Sequence, residues 1–135
     1  MQRLFSAWHA FWYRRFRGHV VGRVGKAPIL ILTTTGRKSG ALRQSPLIYQ
    51  QEAGNVFVIA SNAGRPHHPA WYLNLTANPN VRVRIGSGDR AMVARTASED
   101  ERAAIWPKMV AVYKSYDSYV KKTDRRIPVV ILSPA

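Results

Sequence analysis

The spacing of hydrophobic residues changes several times along the chain, and each change marks an element. At the N-terminus Leu4, Phe5, Trp8, Phe11, Trp12 and Phe16 recur at intervals of three and four, which predicts an amphipathic helix over residues 1–17. Gly18, Gly22 and Gly25 then mark a connection. Ile29-Leu30-Ile31-Leu32 is a short apolar run and predicts a buried strand. A second strand is expected over 43–50, with Pro46 at an edge or bulge, and a turn over 52–55. Residues 56–60 are apolar throughout and predict a third strand, buried on both faces. Residues 61–69 form a loop dense in polar groups. Pro69 can begin a helix over 70–76, which Asn78-Pro79 ends. Residues 81–85 alternate with Arg82 and Arg84, the period of a half-exposed strand, and 86–89 turn it into a returning strand over 91–96. Ser98 and Glu101 make a capping box. It opens a helix through Ile105, Trp106, Met109 and Val110 that Pro107 should kink or restart. Tyr113, Tyr116 and Tyr119 follow three apart. A polar break over 124–126 precedes a last apolar strand over 127–132.

About six short strands joined by turns, with two or three helices and no regular strand–helix alternation, argue for a mixed α+β, mainly antiparallel barrel. The chain has 135 residues, the size of one domain. Residues 1–25 read as a terminal helix with its connection, and 26–135 as the domain. The chain has no cysteine, which removes disulfides, thiolate metal sites and a cysteine nucleophile. No apolar run is long enough to span a bilayer, and Arg14-Arg15-Phe16-Arg17 stands where a signal peptide would be cleaved. A cytoplasmic location is expected.

Charge narrows the partners. Twenty-one Lys and Arg against seven Asp and Glu give +14. Such a surface attracts nucleic acid, anionic lipid or a multiply charged small molecule. No nucleic-acid-binding motif is present, so nucleic acid ranks below the other two. The basic aromatic helix over 1–17 has the composition of a segment lying in a membrane interface, and equally of one packed on its own domain or at a dimer contact.

The candidate chemistry gathers at Thr33-Thr34-Thr35-Gly36-Arg37-Lys38-Ser39-Gly40. Glycines let a backbone turn tightly and approach a ligand, and successive N–H groups in such a turn cradle anions. Arg37, Lys38 and Arg43 add full charges. The spacing is not that of a Walker A loop. A phosphate or carboxylate site and a solvated hairpin turn both fit these residues. His67-His68 has no third ligand at a persuasive spacing, so no metal is expected. The acidic residues form no catalytic pair, and Ser39, Ser45 and Ser61 sit on no nucleophile elbow. So little reactive chemistry of its own favours a protein that binds an anionic, partly flat cofactor.

The ordered set of motifs carries a resemblance. It runs from the Thr33–Gly40 stretch through Arg43, Pro46-Leu47, Ser61-Asn62-Ala63-Gly64 and His68-Pro69-Ala70-Trp71-Tyr72-Leu73-Asn74-Leu75, with Asn78-Pro79. It continues through Trp106-Pro107, Tyr113, Tyr116, Tyr119, Thr123-Asp124-Arg125 and Ile127-Pro128-Val129-Val130. Over residues 28–134 the chain resembles the deazaflavin-dependent nitroreductase family of actinobacteria, of the F420-dependent quinone reductase type. The resemblance implies a split β-barrel of the flavin-binding kind and the cofactor F420, a deazaflavin with an anionic tail. It implies hydride transfer to a quinone such as menaquinone, or to a nitroaromatic acceptor. It assigns Thr35, Gly36, Arg37, Lys38, Ser39, Gly40, Arg43 and Pro46 to cofactor binding. Ser61, Asn62 and Ala63 would line the ring, with His68, Trp71 and Asn74 beside the pocket. Tyr113, Tyr116 and Tyr119 would wall the acceptor site, and Ser61 or Tyr113 would serve as the donor near the acceptor oxygen. A quinone reductase also gives residues 1–17 a purpose, as a peripheral contact on the inner face of the cell membrane. A non-catalytic F420 carrier, an enzyme of the same barrel using FMN or haem, and a basic polyanion binder are the competing readings.

Overall fold

A computed structural model describes residues 23–24 and 27–135. The helix expected over 1–17 and its glycine connection lie outside the described residues, apart from Arg23–Val24. That pair forms a short strand, β1, against the start of β2, Ala27–Thr35. β2 is the predicted apolar run extended into the threonines, and it is buried for most of its length.

The cationic turn joins β2 to β3, Leu42–Ile48, so the two strands pair antiparallel from Ile29↔Ile48 to Thr35↔Leu42. Pro46 cannot donate to a ladder, and β3 is an outer strand bonded only to β2. The single second strand expected over 43–50 is interrupted at Tyr49, whose N–H turns to Pro28 O (3.3 Å). After it come β4, Gln50–Glu52, and β5, Asn55–Ile59, joined through Ala53 and Gly54, both at positive φ. Paired positive φ values suit the tight hairpin turn whose twist matches the strands.

The helix α1, Ala70–Ala77, follows Pro69 and ends at Asn78 as the sequence indicates. β6, Asn80–Ile85, and β7, Gly88–Thr96, form a hairpin over Gly86-Ser87. The capping box is present: Ser98 Oγ accepts from the Glu101 N–H, and Glu101 accepts from the Ser98 N–H. It opens α2, Glu99–Val112, which runs unbroken through Pro107. The carbonyl that Pro107 leaves without a partner belongs to Ala103. Both residues are exposed, so water can take that place and no restart is needed. The break comes at Tyr113 instead, before α3, Ser115–Lys122. β8, Val129–Pro134, completes the chain.

All pairings among the described residues are antiparallel, in the order β1-β2-β6-β7-β8-β5-β4 with β3 on the other flank of β2. β3 and β4 are separated in sequence by Tyr49 alone, yet no ladder joins β3 to β5. The sheet is therefore a split barrel, left open between β3 and β5, of eight described strands rather than six. The two extra strands have two and three residues, too short to set up a hydrophobic period.

Alternation within the strands divides the core. Leu30, Leu32, Val56, Val58, Val81, Val83, Val130 and Leu132 point inward, and α1 closes one end of this core with Trp71 and Leu75. Phe57, Ile59, Val129 and Ile131 face the other way and are covered by Ile105, Met109 and Tyr116 of α2 and α3. This is why β5 reads as apolar on both faces. Trp106 Nε1 donates to Asp117 Oδ1 (2.9 Å) and ties the two covering helices together.

Candidate functional site

The turn between β2 and β3 depends on glycine. Gly36 N–H donates to Ala41 O (2.7 Å) and Gly40 N–H to Gly36 O (2.8 Å). A Cβ on Gly36 would stand 2.9 Å from Ala41 O, and Gly40 has φ +75°. A side chain at either position would open the turn. Ser39 Oγ accepts from the Ala41 N–H (3.1 Å). Asn74 of α1, 3% exposed, fastens this turn to the barrel. Its Oδ1 accepts from the Arg37 N–H (3.2 Å) and from the Arg37 guanidinium (2.9 Å), and its Nδ2 donates to Thr34 Oγ1 (3.3 Å). The guanidinium is thereby held over α1 instead of sweeping through solvent.

Among the described residues, three clefts adjoin this scaffold. A cleft of about 340 Å³ is lined by Gly36, Arg37, Lys38, Ser39 and Arg43 together with Trp71 and Asn74; Gln44, Ser45 and Ala70 complete it. No carboxylate lines it. A basic cleft of about 640 Å³ shares Arg37 and Ala70 with the first and adds Asn62, Arg65, His67, His68 and Arg125. A third, of about 240 Å³, opens at the split of the barrel. Its floor is Ile29, Pro46, Leu47, Ile48 and Ile59, and its wall is Ser61, Ala63, Tyr113, Tyr116 and Tyr119.

The predicted residues are thus divided among neighbouring clefts, not gathered around one pocket. Thr35 and Gly40 line none of the three: Thr35 ends β2 opposite Leu42, and Gly40 shapes the turn. Arg65, Arg125, Gln44 and Ser45 were not expected. Arg125 stood in plain view within Thr123-Asp124-Arg125, but its position in a polar break read as a connection.

The 3₁₀ turn Asn62–Gly64 separates the basic and tyrosine clefts. Asn62 (φ 49°) and Ala63 (φ 55°) are left-handed, a conformation that side chains adopt at a cost of about 1 kcal/mol or more each. The turn is held from several sides. Gly64 N–H donates to Ser61 O (2.9 Å), and Asn62 Nδ2 donates to His67 O (2.9 Å). Gly64 lies so close to α3 that a Cβ there would be 3.0 Å from Lys122 Cβ and 3.1 Å from Tyr119 O.

In the tyrosine wall the Tyr113 and Tyr119 hydroxyls are 3.1 Å apart. The hydrogen bond with Tyr119, helped by Ser115, lowers the Tyr113 pKa below its ordinary value, and the same bond raises that of Tyr119. Either hydroxyl can donate in the neutral pair, and Tyr113 is the more acidic phenol. Burial drives the Tyr116 pKa well up, so it stays neutral. Its ring meets Tyr113 edge-on at 5.1 Å. Three tyrosines at intervals of three do bury one ring, Tyr116, in the core, as plain packing would, yet all three line the cleft. Among the described residues no group of three or more His, Asp or Glu could hold a metal, and no helix is long and apolar enough to cross a membrane.

Comparison with known proteins gives one consistent answer. Residues 6–134 match the family model described as F420H(2)-dependent quinone reductase, so the match begins well before residue 28. A Mycobacterium tuberculosis protein named F420H(2)-dependent quinone reductase is 33% identical over 125 residues, covering 90% of this chain and 84% of its own. Another from the same organism, given that name provisionally, is 45% identical over 107 residues, 79% of this chain and 90% of its own. A solved F420-H2 dependent reductase superposes with a TM-score of 0.73 at 43% identity, covering 78% of this chain and 94% of its own. A structure described as a domain-swapped dimer gives 0.74 at 37% identity, with 95% and 98% covered.

Proposed function

Because the chain belongs to the F420H(2)-dependent quinone reductase family, we propose that it reduces a quinone in the tyrosine-lined cleft while Arg37, Lys38 and Arg43 hold the anionic end of the cofactor. The chain is an oxidoreductase and its cofactor is coenzyme F420. One observation carries the residue assignments. Arg37 is shared by the first two clefts, and the consecutive residues Ser61, Asn62 and Ala63 divide between the tyrosine cleft and the basic one. The first cleft is cationic and the third is apolar with aromatic walls; the basic cleft shares Arg37 with the first and meets the third across the turn at residues 61–63. A long molecule with a charged tail and a flat head fits that polarity.

The residues present suit this cofactor. Three cations and no carboxylate line the charged end, and a side chain at Gly36 would disrupt the turn that presents them. The arginines offer forked donors for phosphate or carboxylate oxygens, and Lys38 adds a point charge. The bound cofactor supplies the hydride. The protein's part is placement and field. Pro46, Ile48 and Ile59 give the acceptor an apolar floor, which would strengthen dipoles aimed into the cleft once a ligand displaces its water. Tyr113, more acidic than an ordinary phenol, is the better proton donor toward an acceptor oxygen that gains negative charge. Ser61 Oγ, which caps no helix, is the alternative donor in the same cleft. A nitro group presents similar oxygens and falls within the same cleft chemistry.

The test is oxidation of F420H2 followed by absorbance against a panel of quinones of rising tail length, with nitroaromatics alongside. Turnover with quinones supports the reading. Tight F420 binding with no turnover on any acceptor would establish a carrier instead. Residues 1–17, basic and aromatic, support a peripheral membrane contact that would bring the cleft to lipid quinones. Undiminished pelleting with anionic liposomes after deleting 1–17 would remove that role.

A further inference from the structure

Arg125 makes an unusual set of contacts for an arginine. Among the described residues it enters no ion pair. Its Nε donates to Arg65 O (2.9 Å), one Nη donates to Ala60 O (3.2 Å) and Ser61 O (2.7 Å), and the other lies 2.9 Å from His68 Nδ1. All four acceptors belong to the segment 60–68, which carries the left-handed turn at Asn62 and Ala63. The guanidinium thus replaces the sheet partners this segment lost when β5 ended at Ile59. An arginine has no acceptor atom, so the His68 contact exists only when Nδ1 is unprotonated and the ring proton sits on Nε2.

We infer that Arg125 is a positioning residue that latches segment 60–68 in the shape the cofactor meets, and that protonation of His68 releases one arm of the latch. The inference rests on the cofactor placement proposed above. The charged and titratable groups around His68 are Arg125 from the α3–β8 connection, Tyr72 of α1 with its ring at 4.8 Å, and Arg37, Arg65 and His67 across the basic cleft. No carboxylate lines that cleft to compensate an imidazolium. Protonated His68 would set an N–H against an N–H and a cation against a cation. Burial and the Arg125 charge already hold its pKa below 6.5.

The test uses the full chain and oxidised F420, with binding followed by calorimetry at pH 7.5 and pH 5.0. Separately, the His68 ring is observed by NMR without cofactor. Wild type is expected to show the Nε2–H tautomer, and to lose about tenfold in F420 affinity at the lower pH, the worth of one charge-assisted hydrogen bond. His68→Asn places an amide oxygen near the Nδ1 position and cannot take a proton, so its affinity should fall less than that of wild type between the two pH values. Arg125→Gln should bind about tenfold more weakly at pH 7.5 and return the His68 pKa toward 6.5 in the cofactor-free protein; Arg125→Lys, with no fork, should not rescue it. Folded Arg125→Gln protein that binds F420 like wild type, or His68→Asn protein with the full acid-side loss, would overturn the inference. So would a His68 ring protonated on Nδ1 at neutral pH. A wild-type chain that binds no F420 would instead refute the proposed function, and the NMR titration would still decide whether the latch exists.

Discussion

Substituting Asn74 separates the two jobs the structure gives it. Asn74→Ala removes the two bonds from Arg37 and the bond to Thr34 Oγ1. Thr34 and Asn74 are buried, so the Thr34 hydroxyl loses its partner in a dry place; the Arg37 backbone N–H bond is part-buried, and the exposed Arg37 charge contributes less. At about 1 kcal/mol for each neutral bond and no more for the screened one, the loss is about 2–3 kcal/mol. For a chain of this size that lowers Tm by about 6–9 °C. The freed turn should also bind F420 about tenfold more weakly, since Arg37 must be ordered again on each binding event. Asn74→Asp is the informative partner. Its carboxylate still accepts from Arg37, and the Thr34 hydroxyl can rotate to donate, so Tm should stay within about 1–2 °C of wild type. The new charge neutralises Arg37 and repels an anion, so affinity should still fall about tenfold or more. Differential scanning calorimetry and F420 titration on the two variants give the four numbers. If Asn74→Asp binds F420 as well as wild type does, the cleft beside Asn74 does not hold the anionic end and the reasoning fails.

Other expectations follow from the same contacts. Tyr113→Phe or Ser61→Ala should lower kcat with quinones about tenfold to a hundredfold while F420 affinity changes little, because a proton donor acts on the arriving charge and not on the tail; unchanged turnover in both would remove the donor role. Gly64→Ala forces a Cβ into Lys122 and a left-handed φ of +79°, and should cost about 1–3 kcal/mol, a Tm loss of about 3–9 °C in a thermal melt. His68 also ties stability to pH. Its folded pKa is depressed below 6.5, so the unfolded chain takes the proton first. That contribution is whole above about pH 6.5 and is lost as pH falls through 6.5 toward the folded value. Denaturant midpoints at pH 7.5 and 5.0 should diverge in wild type and diverge less in His68→Asn.

Local chemistry was legible in the sequence wherever partners are near in the chain. The Ser98–Glu101 box spans three residues, and the Gly36–Gly40 turn closes on itself, so composition alone located both. The inward and outward faces of Val56–Ile59 followed from an apolar run that only two-sided burial explains. What escaped depends on distance. Asn74 clamps Arg37 across 37 positions, and Arg125 reaches the 60–68 segment across about 60, so neither role leaves a periodic or spacing signal. The split of the predicted second strand at Tyr49 likewise depends on Pro28 O, supplied by another strand. The cationic turn with Arg37, Lys38 and Arg43 was legible from its own residues, the other candidates came from the family resemblance, and their division among clefts came only from the fold.

The most direct measurement is calorimetric titration of oxidised F420 into wild type and into a variant with Arg37, Lys38 and Arg43 all changed to Gln, at low and high salt. If these three cations hold the anionic end, the variant loses at least about a hundredfold in affinity, about 1 kcal/mol for each charge, and most of its salt dependence. A folded variant with wild-type affinity and an unchanged salt slope would contradict the account.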